Sequence, residues 1–218
     1  MERFFDVVFS VIALLLLSPI LIVVILILRF TGEGEVFYQQ ERVGLHGKTF
    51  GLLKFATMLK NSPTIGTGTV TIKDDPRVLP FGRFLRRTKI NELPQLINVF
   101  LGDMSLIGPR PLTSQTFNMY TANEQKTLST VRPGLSGLGS IYFRNEEDLL
   151  QGLDNPLEYY SSVIAPKKAK IEIYFIRHKT LLLYFELIFI TVIAVLFSRN
   201  FDAHRFVETK LRKAENKM

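Results

Sequence analysis

No charged residue interrupts the chain from Val7 to Leu28, and the stretch "VIALLLLSPILIVVILIL" within that run is nearly all aliphatic. As a helix, a run of about 22 residues reaches roughly 33 Å, enough to cross the hydrocarbon core of a bilayer. It is too long for the apolar core of a cleaved signal peptide and no small-residue cleavage site follows it, so it reads as a retained anchor. Ser18-Pro19 stands in its middle. Proline lacks an N–H and its ring clashes with the carbonyl of Leu15, which predicts a bend. The Ser18 hydroxyl can bond back up the helix to satisfy a freed carbonyl. Two geometries fit this pattern: a kinked span, and a helix that turns back to the face it entered. Arg29, Arg42, Lys48, Lys54 and Lys60 follow the run and put what comes next on the cytoplasmic side.

Past the anchor the pattern shortens. Strand-like alternation at Val36–Tyr38 and Thr49–Phe55, with turn signals at Gly44 and Gly47, predicts a hairpin. "NSPTIGTGTVTIKDDPR" has the composition of a loop or mobile flap. Leu93, Leu96, Ile97 and Phe100 then recur at helical spacing. Pro94 is acceptable only in a first turn, so Asn91 is the expected N-cap and Gly102 the expected stop. "LIGPRPLT" is a turn in which two prolines bracket Arg110, a polar helical segment runs to about Thr130, and "VRPGLSGLGS" reads as another loop. A further helix is expected to include Pro156–Lys170. The second apolar stretch, Leu181–Phe197, is short for a span and carries Glu186, so it reads as an interfacial helix, with a second transmembrane helix as the alternative. The tail containing "KLRKAENK" is charged and expected to fray. The expected organisation is therefore an anchor over 1–30, a central domain over 31–170, an apolar helix over 171–199 and a charged tail over 200–218.

Charge sharpens this picture. The net charge of +7 suits an anionic partner, and the absence of cysteine excludes a thiol nucleophile or a thiolate metal site. There is no P-loop, GxGxxG, HExxH or GxSxG pattern, and three scattered histidines form no metal motif. What remains is a charged cluster between Arg83 and Arg110, comprising Arg83, Arg86, Arg87, Asn91, Glu92, Asp103 and Arg110. Arginine forks and a helix N-terminus both favour phosphate. Glu92, together with Asp103, could hold Mg²⁺ against a diphosphate. Each residue also has a plainer reading: Asn91 as a cap, Glu92 as a partner of the helix dipole, Lys54 and the arginines as solvated charges.

At this point the chain resembles a known family. "LSP" in an N-terminal apolar helix, "GEVFYQQERVGLHGKTFGLLKFATM", "LPFGRFLRRTKINELPQLINVFLGDMSLIGPRP" and "VRPGLSGLG" occur in the order found in the bacterial sugar transferases, the monotopic phosphoglycosyl transferases. The resemblance runs from about Arg3 to Leu196. It implies an α+β fold: a re-entrant N-terminal membrane helix broken at Ser18-Pro19, a small compact cytosolic domain of helices with a short β-hairpin, and interfacial amphipathic helices. It implies transfer of a sugar-1-phosphate from a UDP-sugar to undecaprenyl phosphate, with release of UMP, use of Mg²⁺ and priming of surface polysaccharide synthesis. The implied location is the cytoplasmic face of the bacterial inner membrane, among membrane lipids, with a homodimer as a possible assembly. Glu92 matches the family's glutamate, a metal ligand, and Lys54, Arg86 and Arg110 match positions that hold phosphates.

Two positions depart from the family pattern. Asn91 stands where the family's "DELPQ" has its nucleophilic aspartate, and Ala56 stands where "KFRTM" has arginine. A carboxamide is a poor nucleophile for phosphorus. Three outcomes follow: another carboxylate attacks, Glu92 first and Asp103 second; the lipid phosphate attacks directly, with Asn91 orienting a phosphoryl oxygen; or the chain is an inactive, membrane-bound scaffold for glycan enzymes. Nucleic-acid binding is not expected, because no platform of alternating aromatic and basic residues exists.

Overall fold

The computed structural model describes residues 1–64, 75–144, 146–153, 155–196 and 203–215. The fold is α+β with a helical majority. Helix α1, Glu2–Phe30, is the one helix among the described residues long and apolar enough to cross a membrane. It continues through Pro19, and the Ser18 hydroxyl donates to the Leu15 carbonyl at 2.8 Å, next to the donor that proline lacks. Both ends of α1 are docked on the same body. Near its start, Asp6 is 2% exposed and its Oδ1 accepts from the Ser105 hydroxyl at 3.0 Å, the Leu106 N–H at 2.8 Å and the Tyr184 hydroxyl at 2.7 Å. Arg3 donates to the Val99 and Phe100 carbonyls. Near its end, Val24 and Leu28 are buried with Phe55 and Leu85. Between the two docked ends, Leu15, Leu16 and Ile20 are exposed.

Strands β1, Phe37–Val43, and β2, Thr49–Phe55, form the expected antiparallel hairpin, which places Tyr38 opposite Lys54. Its turn closes through a 3-10 segment at Leu45–Gly47, where Gly47 takes a φ of 74° that favours glycine. Of the expected flap, 65–74 lies outside the described residues. Helix α2, Pro80–Arg87, carries the arginines, and α3 covers Gln95–Leu101.

Between α2 and α3 the structure corrects the expected cap. Asn91 does not cap α3. It sits in a separate 3-10 turn, Ile90–Glu92, and makes no side-chain cap bond. Pro94 explains this, because it has no N–H to donate to the Ile90 carbonyl as an α-helix would require. That carbonyl instead accepts from the Leu93 N–H at 3.1 Å, the tighter 3-10 pattern. Gly102 does stop α3, with a φ of 100° and its N–H on the Asn98 carbonyl at 3.0 Å. The Asn98 side chain fastens α3 to β2, accepting from the Leu53 N–H at 2.9 Å and donating to the Gly51 carbonyl at 2.8 Å.

The remaining chain supplies a second sheet and most of the core. Strand β3, Ser105–Ile107, pairs in parallel with β4, Gly134–Ser136, inside the segment expected to be only a loop. A Cβ on Gly134 would lie 2.1 Å from the Gly108 nitrogen, so only glycine admits this approach. Short helices α4, Ser114–Phe117, and α5, Ala122–Leu128, lie between these strands; the second starts with a capping box at Thr121 and Glu124. After them come α6, Leu138–Tyr142, α7, Glu146–Leu149, and α8, Pro156–Tyr159. A π-helical turn at Tyr160–Ile164 joins α8 to α9, Ala165–Arg177. Helix α10, Leu181–Leu196, buries Tyr184 and Leu187 in the core and exposes Leu182 and Phe189 on its other side.

The tail also differs from expectation. Ala203–Glu215 forms helix α11, with Val207 fully buried in the main core. Phe206, Val207 and Leu211 form an apolar stripe that packs on that core, Lys210 pairs with Glu186 at 2.6 Å, and the Tyr142 hydroxyl donates to Glu208 at 3.2 Å. A charged stretch folds here because its few apolar residues share one face. Replacing Asp6 by alanine is expected to orphan three donors at the foot of α1 and cost about 2–4 kcal/mol. A fall in the thermal midpoint of the detergent-solubilised protein would measure it; an unchanged midpoint would mean that Asp6 does not anchor α1.

Candidate active site

The hairpin, α2, the 3-10 turn and the Pro109–Pro111 turn converge on one cleft of about 1630 Å³. Lys54, Arg83, Arg86, Asn91, Glu92 and Arg110 all line it. Each arrives by a local rule. Lys54 projects from β2, Arg86 from the last turn of α2, and Glu92 from the 3-10 turn that Pro94 imposes. Arg110 lies between two prolines whose fixed φ stiffens its turn. Its guanidinium stands 3.6 Å from Glu92 Oε1; the two side chains are 41% and 18% exposed. Asp103 is not among the lining residues, and its Oδ2 accepts from Asn98 Nδ2 at 3.2 Å. It belongs to the α3–β2 fastening, not to the cleft.

The electrostatics follow from crowding several cations around one carboxylate. Burial acts to raise the Glu92 pKa, but Arg110, Lys54 and Lys89 outweigh it and hold the group at about 2, so it is ionised at any physiological pH. Lys54 is half-buried on β2, and its pKa is pushed down to about 7. Burial is the main cause; Arg42, Arg110 and Arg86 add to it, and Glu92 opposes it. Arg42 is lowered to about 10, by burial first and then by Arg110. Burial and neighbouring cations thus depress both Lys54 and Arg42, a condition an anionic ligand would ease.

Three polar atoms in the cleft wall are buried without a protein partner: Asn91 Oδ1, Ser140 Oγ and Arg42 Nε. Buried polar groups are ordinarily paired, so these are departures from the usual rule within the cleft wall. Ala56 is buried, 7% exposed, and lines the same cleft. Sequence reasoning missed Arg42, Ser140, Arg144, Tyr160 and Lys168, all lining residues. Arg42 carried a weak signal as a strand residue beside the turn, whereas Lys168 is brought in only by the packing of α9.

Glu92 fits a Mg²⁺ held by one carboxylate and completed by substrate phosphates, because it is ionised and faces the cleft. No group of three or more His, Asp or Glu gathers among the described residues, so a cage built from protein ligands alone is not found there. The same cleft has an apolar lining from Phe9, Ala13 and Leu17 of α1 and Ile188, Val192 and Val195 of α10. One cavity thus joins a cation-rich lining to a greasy one.

The family model described as bacterial sugar transferase matches residues 1–198. The chain belongs to the bacterial sugar transferase family. This sugar transferase is 36% identical over 159 residues to the exopolysaccharide production protein ExoY of Sinorhizobium fredii, across 66% of this chain and 70% of that protein. It is 37% identical over 163 residues to an undecaprenyl-phosphate galactose phosphotransferase of Salmonella typhimurium, across 68% of this chain and 34% of that protein. It is 34% identical over 196 residues to a UDP-glucose:undecaprenyl-phosphate glucose-1-phosphate transferase of Klebsiella pneumoniae, across 88% of this chain and 39% of that protein. The chain therefore spans most of the first relative but little more than a third of the other two. Family membership and α1 together point to a membrane-associated protein.

The Lys54 pKa makes anion binding pH-dependent. Lys54 is cationic below about 7 and loses its charge above it. Affinity for sulfate, an anion that does not titrate in this range, is expected to fall between pH 6 and pH 8.5. Lys54→Met should flatten that dependence in calorimetric titrations; a persisting slope would assign it to another group.

Proposed function

We propose that this sugar transferase moves a sugar-1-phosphate from a UDP-sugar to undecaprenyl phosphate. An oxygen of the lipid phosphate bonds to the sugar-bearing phosphorus, the bond from that phosphorus to the bridging oxygen breaks, and UMP leaves with that oxygen. The product is a polyprenyl diphosphate sugar, the first lipid-linked unit of a surface polysaccharide. The observation that carries this reading is the single cleft lined both by Lys54, Arg86, Arg110 and ionised Glu92 and by apolar side chains of α1 and α10. A charged head with a long apolar tail is the substrate chemistry that fits such a cavity. The names of the relatives support it.

In this reading Arg86, Arg110 and protonated Lys54 hold the phosphates and stabilise charge as it shifts to the leaving UMP. Glu92 would hold Mg²⁺, which neutralises diphosphate charge when bound. Asn91 supplies no carboxylate, and Asp103 lies away from the cleft, so direct attack by the lipid phosphate is the route the geometry favours over a covalent one. A carboxylate held at about 2 by Arg110 and Lys54 is weakly basic, which suits Glu92 to a metal or a salt bridge better than to nucleophilic attack.

The topology belongs to the same proposal. Because both ends of α1 dock on one body while its centre is exposed, we read α1 as re-entering the face it left, and α10 as lying in the cytoplasmic interface of the inner membrane. The chain has no cysteine, so single cysteines can be introduced cleanly. Cysteines at positions 2 and 31 should react from the same side with an impermeant reagent; reaction from opposite sides would mean a full span.

With UDP-sugars, undecaprenyl phosphate and Mg²⁺, the purified protein is expected to release UMP, and Glu92→Gln to reduce release by at least about a hundredfold. A donor labelled in the sugar should leave no label on the parent protein in the absence of acceptor. The departure at Asn91 favours one second reading, a non-catalytic scaffold. Binding of lipid phosphate without UMP release from any donor would establish it and overturn the transferase.

A further inference from the structure

One buried carboxyl has no part in the reaction as described above. Glu172 lies on α9, 2% exposed, one helical turn beyond Lys168. Its Oε1 accepts the backbone N–H of Arg110 at 3.2 Å and lies against the backbone of Gly139. The approach to Gly139 is so close that a Cβ there would stand 2.2 Å from Oε1. Oε2 is buried without a protein partner. A void of about 30 Å³ bounded by Glu172, Lys168, Arg110, Pro109 and Tyr120 lies alongside, room for about one water molecule.

Burying a carboxyl costs stability, and an apolar side chain of similar size would pack there more cheaply. What an apolar side chain cannot do is accept the Arg110 N–H on one wall of the cleft while packing against the Gly139 backbone on another. Arg110 belongs to the turn aimed at Glu92; Gly139 belongs to α6, which opens the wall carrying Ser140 and Arg144. Burial pushes the Glu172 pKa up to about 7, against the backbone groups of Arg110 and Gly139 and the charges of Lys168 and Arg110. The acceptor Oε1 survives in both protonation states, so the clasp does not depend on the charge. Glutamine should therefore replace it.

We propose that Glu172 is a positioning residue of the sugar-phosphate transfer, clasping the backbones of Arg110 and Gly139 so that the guanidinium stays aimed into the phosphate-binding cleft. The role rests on the transferase reading for its purpose, but its geometry can be tested by ligand binding alone. The full chain in detergent would be titrated with a UDP-sugar and assayed for UMP release as wild type, Glu172→Gln, Glu172→Leu and Gly139→Ala. Glu172→Gln should bind and turn over within about threefold of wild type. Glu172→Leu should lose about tenfold in donor affinity and in kcat/KM, because a misplaced phosphate contact costs both binding and orientation. Gly139 does not adopt a positive φ, so alanine there strains no backbone and acts only by displacing the carboxyl. It should reproduce the loss, and it serves as the readout if Glu172→Leu does not fold.

A structural role alone would lower the thermal midpoint without this selectivity. The discriminating arm is therefore the Arg110→Ala background, where adding Gly139→Ala should change donor affinity by less than about twofold. Wild-type donor affinity in Gly139→Ala would overturn the proposal, as would a full tenfold loss persisting without the Arg110 guanidinium. Absence of UMP release from the wild type, with the binding pattern intact, would instead overturn the transferase reading and leave the clasp standing.

Discussion

The Asp6 carboxyl, with three donors converging on one buried oxygen, is the junction on which the rest of the architecture depends. It ties an apolar helix to a body that must work at a membrane surface. The Ser105 and Leu106 donors come from β3 and the Tyr184 donor from α10, so one side chain sets the spacing of helix, sheet and second apolar helix. Burying such a polar group costs less when donors satisfy it, as these three satisfy Oδ1. The groove between α1 and α10 follows from that spacing, since Phe9, Ala13 and Leu17 face it at one-turn intervals beyond Asp6.

Among the charged residues of the cleft the governing constraint is electrostatic. Lys54, Arg42, Arg86 and Arg110 repel one another, and Glu92 is the carboxylate set among them. Burial, reinforced by the neighbouring cations, depresses Lys54, and the same cations keep Glu92 ionised. Such a site is destabilising by itself, and the fold compensates with rigid supports: prolines on both sides of Arg110, the Asn98 fastening between α3 and β2, and the Glu172 acceptor behind the Arg110 turn. Binding an anion would relieve the repulsion, which is why the same arrangement that costs stability is suited to phosphate transfer.

Asn91 shows how one local element can be read correctly and still be assigned the wrong duty. The sequence suggested a helix cap, because amides cap well and Pro94 lay three residues on. In the structure the missing proline N–H splits the region into a 3-10 turn and a later helix, and the amide is left buried with Oδ1 unpartnered. Asn91 therefore holds its place in the cleft wall without capping a helix. The tail was misread for the opposite reason: its overall charge suggested fraying, and the one-faced placing of Phe206, Val207 and Leu211 prevailed.

By itself the sequence determined the elements whose causes are local. Apolar length made α1, glycine and strand alternation made the hairpin, and Gly102 ended α3, because each depends on near neighbours along the chain. The "NELPQ" and "GPRP" motifs also marked Glu92 and Arg110, and the arginines before them marked Arg83 and Arg86. Tertiary structure alone decided which of those charges meet. It set Asp103 aside on Asn98, brought Lys168, Arg42 and Ser140 into the wall, and placed Glu172 behind Arg110. It also paired β3 with β4 across an approach open only to glycine. These are contacts between residues far apart in the chain, set by packing and by the need to satisfy buried polar groups, and no local pattern encodes them.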